Sequence, residues 1–142
     1  MRAFVITVAT VALTVAACSS QPATTTAATP AAAASARVAG TYLVSLALSG
    51  RSTYTGTLEV TPVAGDSVRG TLALTSPVRV DAPVTGAVRG DSLRLSGPYS
   101  AANGCTGTIS FAISLVATPH TGPSRLVDKC VGEIPATLTA RR

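Results

Sequence analysis

Three cysteines, Cys18, Cys105 and Cys130, and one histidine, His120, carry most of the chemistry that this 142-residue sequence could perform. A thiol can be acylated, oxidised to a disulfide or bound to a metal, and an imidazole can act as a base or a ligand. Structural zinc sites gather four such side chains, commonly through Cys-x-x-Cys spacing. That spacing is absent and there is one histidine, so no metal ligands and no cofactor are assigned. Catalysis finds as little support. No Gly-x-Ser-x-Gly or paired-carboxylate motif occurs, and His120 sits in a Pro/Gly-rich segment without an acidic neighbour. Asp66 and Asp91 fall in turn-like segments, where aspartate makes local hydrogen bonds. The residues point to a non-catalytic protein.

Cys18 stands out by position. Met1-Arg2 is a charged start, Ala3 to Ala17 an apolar run, and Ala16 and Ala17 the small residues before a cut. These are the three parts of a secretory leader. The run is shorter than the roughly 20 apolar residues that span a bilayer. Val15-Ala16-Ala17-Cys18 resembles the lipobox of bacterial lipoproteins. That resemblance implies a signal peptide over 1–17, a diacylglyceryl group on the Cys18 thiol, and a fatty acyl chain such as palmitate on the new amino terminus. Several acyl chains exceed the two signals that stable anchoring needs. Ser19 rather than an aspartate follows, which in the enterobacterial pattern favours the outer membrane, periplasmic face, over the inner membrane. The competing readings are an ordinary signal peptide that leaves Cys18 free, an uncleaved helix, and a core helix.

With Cys18 committed to lipid by that resemblance, Cys105 and Cys130 remain as a pair for the oxidising periplasm. Closing a loop of this size stabilises a fold by roughly 3 kcal/mol. Two separate buried thiols are the alternative. Removing the leader removes Arg2, so ten of the eleven basic residues face six acidic ones. The excess is spread along the chain, which argues against a nucleic-acid surface and suits anionic headgroups, cell-wall polymers or plain solubility.

The positioning elements follow from composition and period. Residues 18–38 are rich in Ala, Thr, Pro and Ser and read as a disordered tether, with Pro22 and Pro30 opposing a stable helix around Ala31–Ala34. From Gly40 the pattern alternates strictly. Tyr42, Val44, Leu46 and Leu48 share one face, as do Tyr54, Leu58 and Val60, then Val68, Leu72 and Leu74, and later Ile109, Phe111, Ile113 and Leu115. Period two with Thr on the wet face is the pattern of half-buried antiparallel strands. Turn signals occur at Ser49-Gly50, Ala64-Gly65-Asp66, Ser76-Pro77, Arg89-Gly90-Asp91, Asn103-Gly104 and His120-Thr121-Gly122-Pro123. Gly65-Asp66-Ser67-Val68-Arg69 recurs as Gly90-Asp91-Ser92-Leu93-Arg94, and Cys105-Thr106-Gly107 as Cys130-Val131-Gly132, one hairpin's length apart. The expected domain, 39–142, is all-β: a small up-and-down (meander) barrel of about eight strands, with a β-sandwich as the alternative.

Within such a barrel, inward Gly56, Gly70, Gly86 and Gly107 either open a cavity or let strands coil tightly enough to close. Gly40-Thr41-Tyr42 with Arg141 at the chain end resembles the lipocalins, whose barrel opens on Gly-x-Trp covered by a late arginine. Tyr42 stands at the Trp position, and no C-terminal helix follows. The resemblance implies a carrier of a small apolar ligand, with a cavity lined by Tyr42, Val44, Leu46, Leu58, Leu72, Ile109, Phe111 and Ile113. The scarcity of large aromatics points the same way. Without a cavity, an envelope protein is the expected partner, met through the outer face or a rim loop of Pro98-Tyr99 and Asn103-Gly104-Cys105. Arg69, Arg79, Arg89 and Arg94, on four successive strands, are expected to be solvated rather than an anion patch.

Overall fold

The computed structural model describes residues 30–142; Cys18, the leader and the first part of the tether lie outside them. One helix, α1 (Pro30–Arg37), leads into eight strands. These are β1 (Gly40–Leu48), β2 (Thr53–Pro62), β3 (Ser67–Ser76), β4 (Val80–Arg89), β5 (Ser92–Ala101), β6 (Thr106–Ser114), β7 (His120–Asp128) and β8 (Gly132–Arg141). Each pairs antiparallel with the next, and β8 returns to β1, so the meander closes into a barrel. The sandwich alternative is excluded.

Alternation decides which face is buried. Along β1 the pattern puts Tyr42, Val44, Leu46 and Leu48 inside and leaves Thr41 and Leu43 outside. The other strands repeat it, with Leu58 and Val60, Leu72 and Leu74, Leu93 and Leu95, and Phe111 and Ile113 joining one core. Outward positions carry Thr57, Glu59, Thr71, Thr85, Arg94 and Ser110. This apolar-in, polar-out arrangement is the inverse of a membrane-spanning barrel. Among the described residues no helix is long and apolar enough to cross a membrane.

Three sequence expectations need correction. The stretch up to residue 38 is not wholly a tether: α1 ends in a folded segment in which Ser35 and Val38 are buried. Pro30 does not block this helix, because it is its first residue, where a missing N–H costs nothing. His120-Thr121-Gly122-Pro123 is not a turn but the start of β7; residues 115–119 make the turn. The β6–β7 register stops at Phe111–Ser124, so Pro123 sits where β7 has only β8 beside it in register. Likewise Pro98 and Tyr99 belong to β5, with Tyr99 buried, leaving only 102–105 as loop.

Six strands carry one inward glycine each: Gly56, Gly70, Gly86, Gly97, Gly107 and Gly122. A Cβ at Gly86 would stand 1.9 Å from the Arg94 carbonyl oxygen, and one at Gly97 1.9 Å from that of Pro83. These positions let neighbouring backbones approach, so the glycines serve closure and do not hollow the interior. Gly97 and Gly122 each precede a proline, which by sequence alone resembles a turn.

α1 closes one end of the barrel, the helix end. Ser35 Oγ donates to the Gly65 carbonyl (2.8 Å) and Tyr42 Oη donates to that of Val38 (2.8 Å). Arg142 Nη2 donates to the carbonyls of Arg37 (2.9 Å) and Ala39 (2.8 Å) and to Tyr42 Oη (2.8 Å). The Arg142 guanidinium also lies 4.9 Å from the centre of the Tyr42 ring. The arginine covering the aromatic residue of β1 is therefore Arg142, whereas Arg141 is exposed on β8. Side chains alternate across a strand, so Arg141 leaves the outer face. Arg142→Ala is expected to cost about 2 kcal/mol, the sum of a charge-assisted hydrogen bond and a partly exposed cation–π contact. Hydrogen exchange should then quicken at the Val38 and Ala39 amides while strand amides hold; unchanged exchange there would show that the clamp contributes nothing.

Candidate functional site: the barrel mouth

The opposite end is bounded by the β1–β2, β3–β4, β5–β6 and β7–β8 turns. It holds a cavity of about 360 Å³ that opens to solvent. Its wall is apolar, from Leu48, Leu74, Val80, Ala101, Leu126 and Ile134 among others, and its rim carries Arg51, Ser52, Asn103 and Asp128. Of the eight residues expected to line a cavity, Leu46 and Ile109 line this one, and Tyr42 borders a smaller pocket at the helix end. Tyr42, Val44, Leu58, Leu72, Phe111 and Ile113 are each at most 4% exposed and pack together, filling the helix end and the middle. The cavity is thus an end pocket and not a hollow axis. Finding it needed the strand register, which tells which inward residues cluster at one end.

The wall changes character at Tyr99 and Asp128. Tyr99 Oη donates to Asp128 Oδ2 at the cavity edge. Asp128 Oδ1 accepts from the backbone amides of Cys130 (2.7 Å) and Val131 (3.0 Å), shaping the β7–β8 turn. Burial pushes the Tyr99 hydroxyl well above its ordinary value, and the bond to Asp128 adds to this. Burial also acts to raise the Asp128 carboxyl. The Tyr99 hydroxyl, the two amides and the Arg51 charge outweigh it and hold the group below its ordinary value.

A stability signature follows. Asp128, lowered on folding, stabilises above about pH 4, and this is lost as pH falls through its folded value. Tyr99, raised on folding, stabilises fully below about pH 10, and this is lost as pH rises beyond. The urea midpoint should therefore decline from about pH 10 upward, and Tyr99→Phe should flatten that decline. An equally steep alkaline limb in Tyr99→Phe would contradict the assignment.

Cys105 and Cys130 form a disulfide between the β5–β6 and β7–β8 turns, with Cα atoms 5.8 Å apart and a sequence separation of 25. They occupy equivalent positions of the internal repeat, since twenty-five residues is one hairpin and brings the chain back to the same rim. Asn103 Oδ1 accepts from the Cys105 amide (3.2 Å), bracing the β5–β6 loop. Cys105, Cys130 and Asp128 offer three donor atoms within 4.8 Å of one another. With both sulfurs joined, a single carboxylate remains as a donor, so the cluster acts as a staple on the rim.

The four arginines are exposed, and two of them are ion-paired. Arg69, Arg89 and Arg94 lie exposed on β3, β4 and β5, but Arg79 precedes β4 and sits at the mouth, not on a strand. Arg79 pairs with Asp81 (2.9 Å) and Arg89 with Asp66. His120 lies at the helix end, its ring centre 6.0 Å from that of Tyr42, far from any nucleophile of the mouth.

The chain is thus a closed eight-stranded antiparallel barrel, plugged at one end and open at the other. Neither a protein-family model nor a curated protein matches the chain. Among solved structures it is similar to EF1p2_mFAP2b bound to DFHBI, at 13% identity and a TM-score of 0.55, covering 79% of this chain and 98% of that one. It is similar also to a redesigned β-barrel, mFAP1, bound to DFHBI, at 14% identity and a TM-score of 0.51, covering 76% and 98%. These likenesses establish the barrel fold.

Proposed function

We propose that the protein is a bacterial envelope lipoprotein, held through acylated Cys18, whose barrel mouth binds a small apolar molecule without transforming it. The observation that carries this reading is the end cavity, with its apolar wall and few polar rim groups. That is the usual make-up of a small-molecule site. At about 30 Å³ per water-sized unit, 360 Å³ holds a ligand of roughly a dozen non-hydrogen atoms. That the structural neighbours mFAP1 and EF1p2_mFAP2b are described as bound to DFHBI supports a small-molecule binding role.

The described chain enters the barrel through α1 at the plugged end, opposite the mouth. A protein-partner role is less favoured, since it needs no open cavity.

Two measurements test the reading. Labelled palmitate should be incorporated into the protein in its bacterial host and not into Cys18→Ala; equal labelling overturns the anchor. An uncharged naphthalene fluorophore of about a dozen non-hydrogen atoms should bind saturably at one site; fluorescence that rises only linearly with probe overturns the binding role.

A further inference from the structure

A second pocket, of about 150 Å³, lies at the helix end and is lined by Arg37, Arg142, His120, Asp91 and Tyr42 among others. It differs from the mouth in chemistry. Two guanidinium groups and an imidazole surround it, with a single carboxylate. At about 30 Å³ per water-sized unit it has room for five non-hydrogen atoms, the size of one tetrahedral oxyanion.

The charges are available. The Arg37 side chain makes no hydrogen bond or ion pair among the described residues. Arg142 uses only Nη2 in its clamp, which leaves the N–H groups of Nε and Nη1 unengaged there. That same Nη2 already holds the carbonyls of Arg37 and Ala39, which would otherwise turn negative ends toward an anion. His120 Nδ1 is buried without a hydrogen-bond partner, so the ring is not committed elsewhere through that nitrogen. Arginine forks suit tetrahedral oxyanions in particular.

Asp91 narrows the class. A carboxylate in an anion pocket repels a fully deprotonated ligand but accepts a hydrogen bond from an oxyanion that keeps a proton. Inorganic phosphate keeps one at neutral pH, a phosphate monoester keeps one below about pH 6, and sulfate keeps none. We infer that the helix-end pocket binds a protonated phosphate group, with Arg37 and Arg142 on its anionic oxygens and Asp91 on its P–OH. The site is independent of the mouth.

The single histidine gives an unambiguous reporter. The full chain, labelled with carbon-13 at His120 and held in zwitterionic detergent at pH 6 and constant ionic strength, is titrated with inorganic phosphate. The ring signals should shift saturably. Arg37→Gln should weaken the apparent affinity about tenfold, the worth of one charge-assisted hydrogen bond. Sulfate should bind at least about tenfold more weakly than phosphate, and Asp91→Asn should close that gap. Competition by glycerol phosphate would show that esters enter, and failure to compete would restrict the pocket to the free ion; both retain the protonated phosphate group. A drift shared by phosphate, sulfate and chloride overturns the proposal. So does equal affinity for phosphate and sulfate, or unchanged phosphate affinity in Arg37→Gln.

Discussion

Gly86→Ala is expected to abolish folding. The residue faces inward on β4 opposite Leu95 of β5, and an added Cβ would stand 1.9 Å from the Arg94 carbonyl oxygen and 3.0 Å from the Leu95 Cα. Both neighbours are backbone of a paired strand, so no rotamer change relieves the clash. Relief requires β4 and β5 to part, and each ladder supports the next round the ring. A cost above about 4 kcal/mol is a large share of the 5–15 kcal/mol that holds a domain together, and at the lower end of that range leaves it unfolded. Circular dichroism with urea unfolding checks this. Gly50→Ala is the control: its φ of +68° strains an alanine, yet nothing lies within 4 Å, so it should cost only about 1 kcal/mol. A Gly86→Ala protein as stable as Gly50→Ala would mean the barrel does not close through tight crossings at its glycines.

Ala101→Trp is expected to lower ligand affinity at least about a hundredfold while leaving the fold intact. Ala101 ends β5 at the mouth, half-buried, and lines the cavity. Its backbone already fixes the loop, donating to the Cys105 carbonyl (2.9 Å) and accepting from the Gly104 amide (2.9 Å). An indole there meets the apolar wall that the ligand would otherwise cover. Aromatic side chains bury about 150–250 Å² each, which favours the filled state over the open one. Two decades of affinity correspond to about 2.8 kcal/mol, within reach of excluding a ligand from most of its contacts. The thermal midpoint should stay level or rise, since a void is being filled. Loss of binding together with loss of stability would show instead that the substitution had broken the rim.

The strands were legible because they obey a period of two, and the turns because glycine sits beside Asp or Asn at several of them. Both signals are local. Gly122-Pro123 misled for the same reason: two turn-forming residues lie inside β7, where one needs closeness to Ala112 and the other lies just past the last β6–β7 pair. Pro30 misled because a proline breaks a helix from within but starts one well. The apolar residues named from alternation on β1, β2, β3 and β6 face the interior as expected, yet the hollow lies elsewhere than expected. Facing depends on sequence parity alone. The height of a side chain along the barrel axis depends on register and tilt, and these arise only when the ring closes. Tyr42 fills one end because Val38 and Arg142 hold it there, and the Arg142 contact spans the whole domain. Tyr99 at the other end reads as loop until β5 is seen to continue through Pro98 to Ala101.

Native mass spectrometry of the protein released from its host's membranes, compared with Ala101→Trp prepared identically, tests most directly whether the open end of this barrel holds a small apolar molecule. The wild-type protein should carry a non-covalent mass equivalent to roughly a dozen non-hydrogen atoms, lost on collisional activation and absent from Ala101→Trp. Bare protein in both samples, or the same adduct on both, would contradict it.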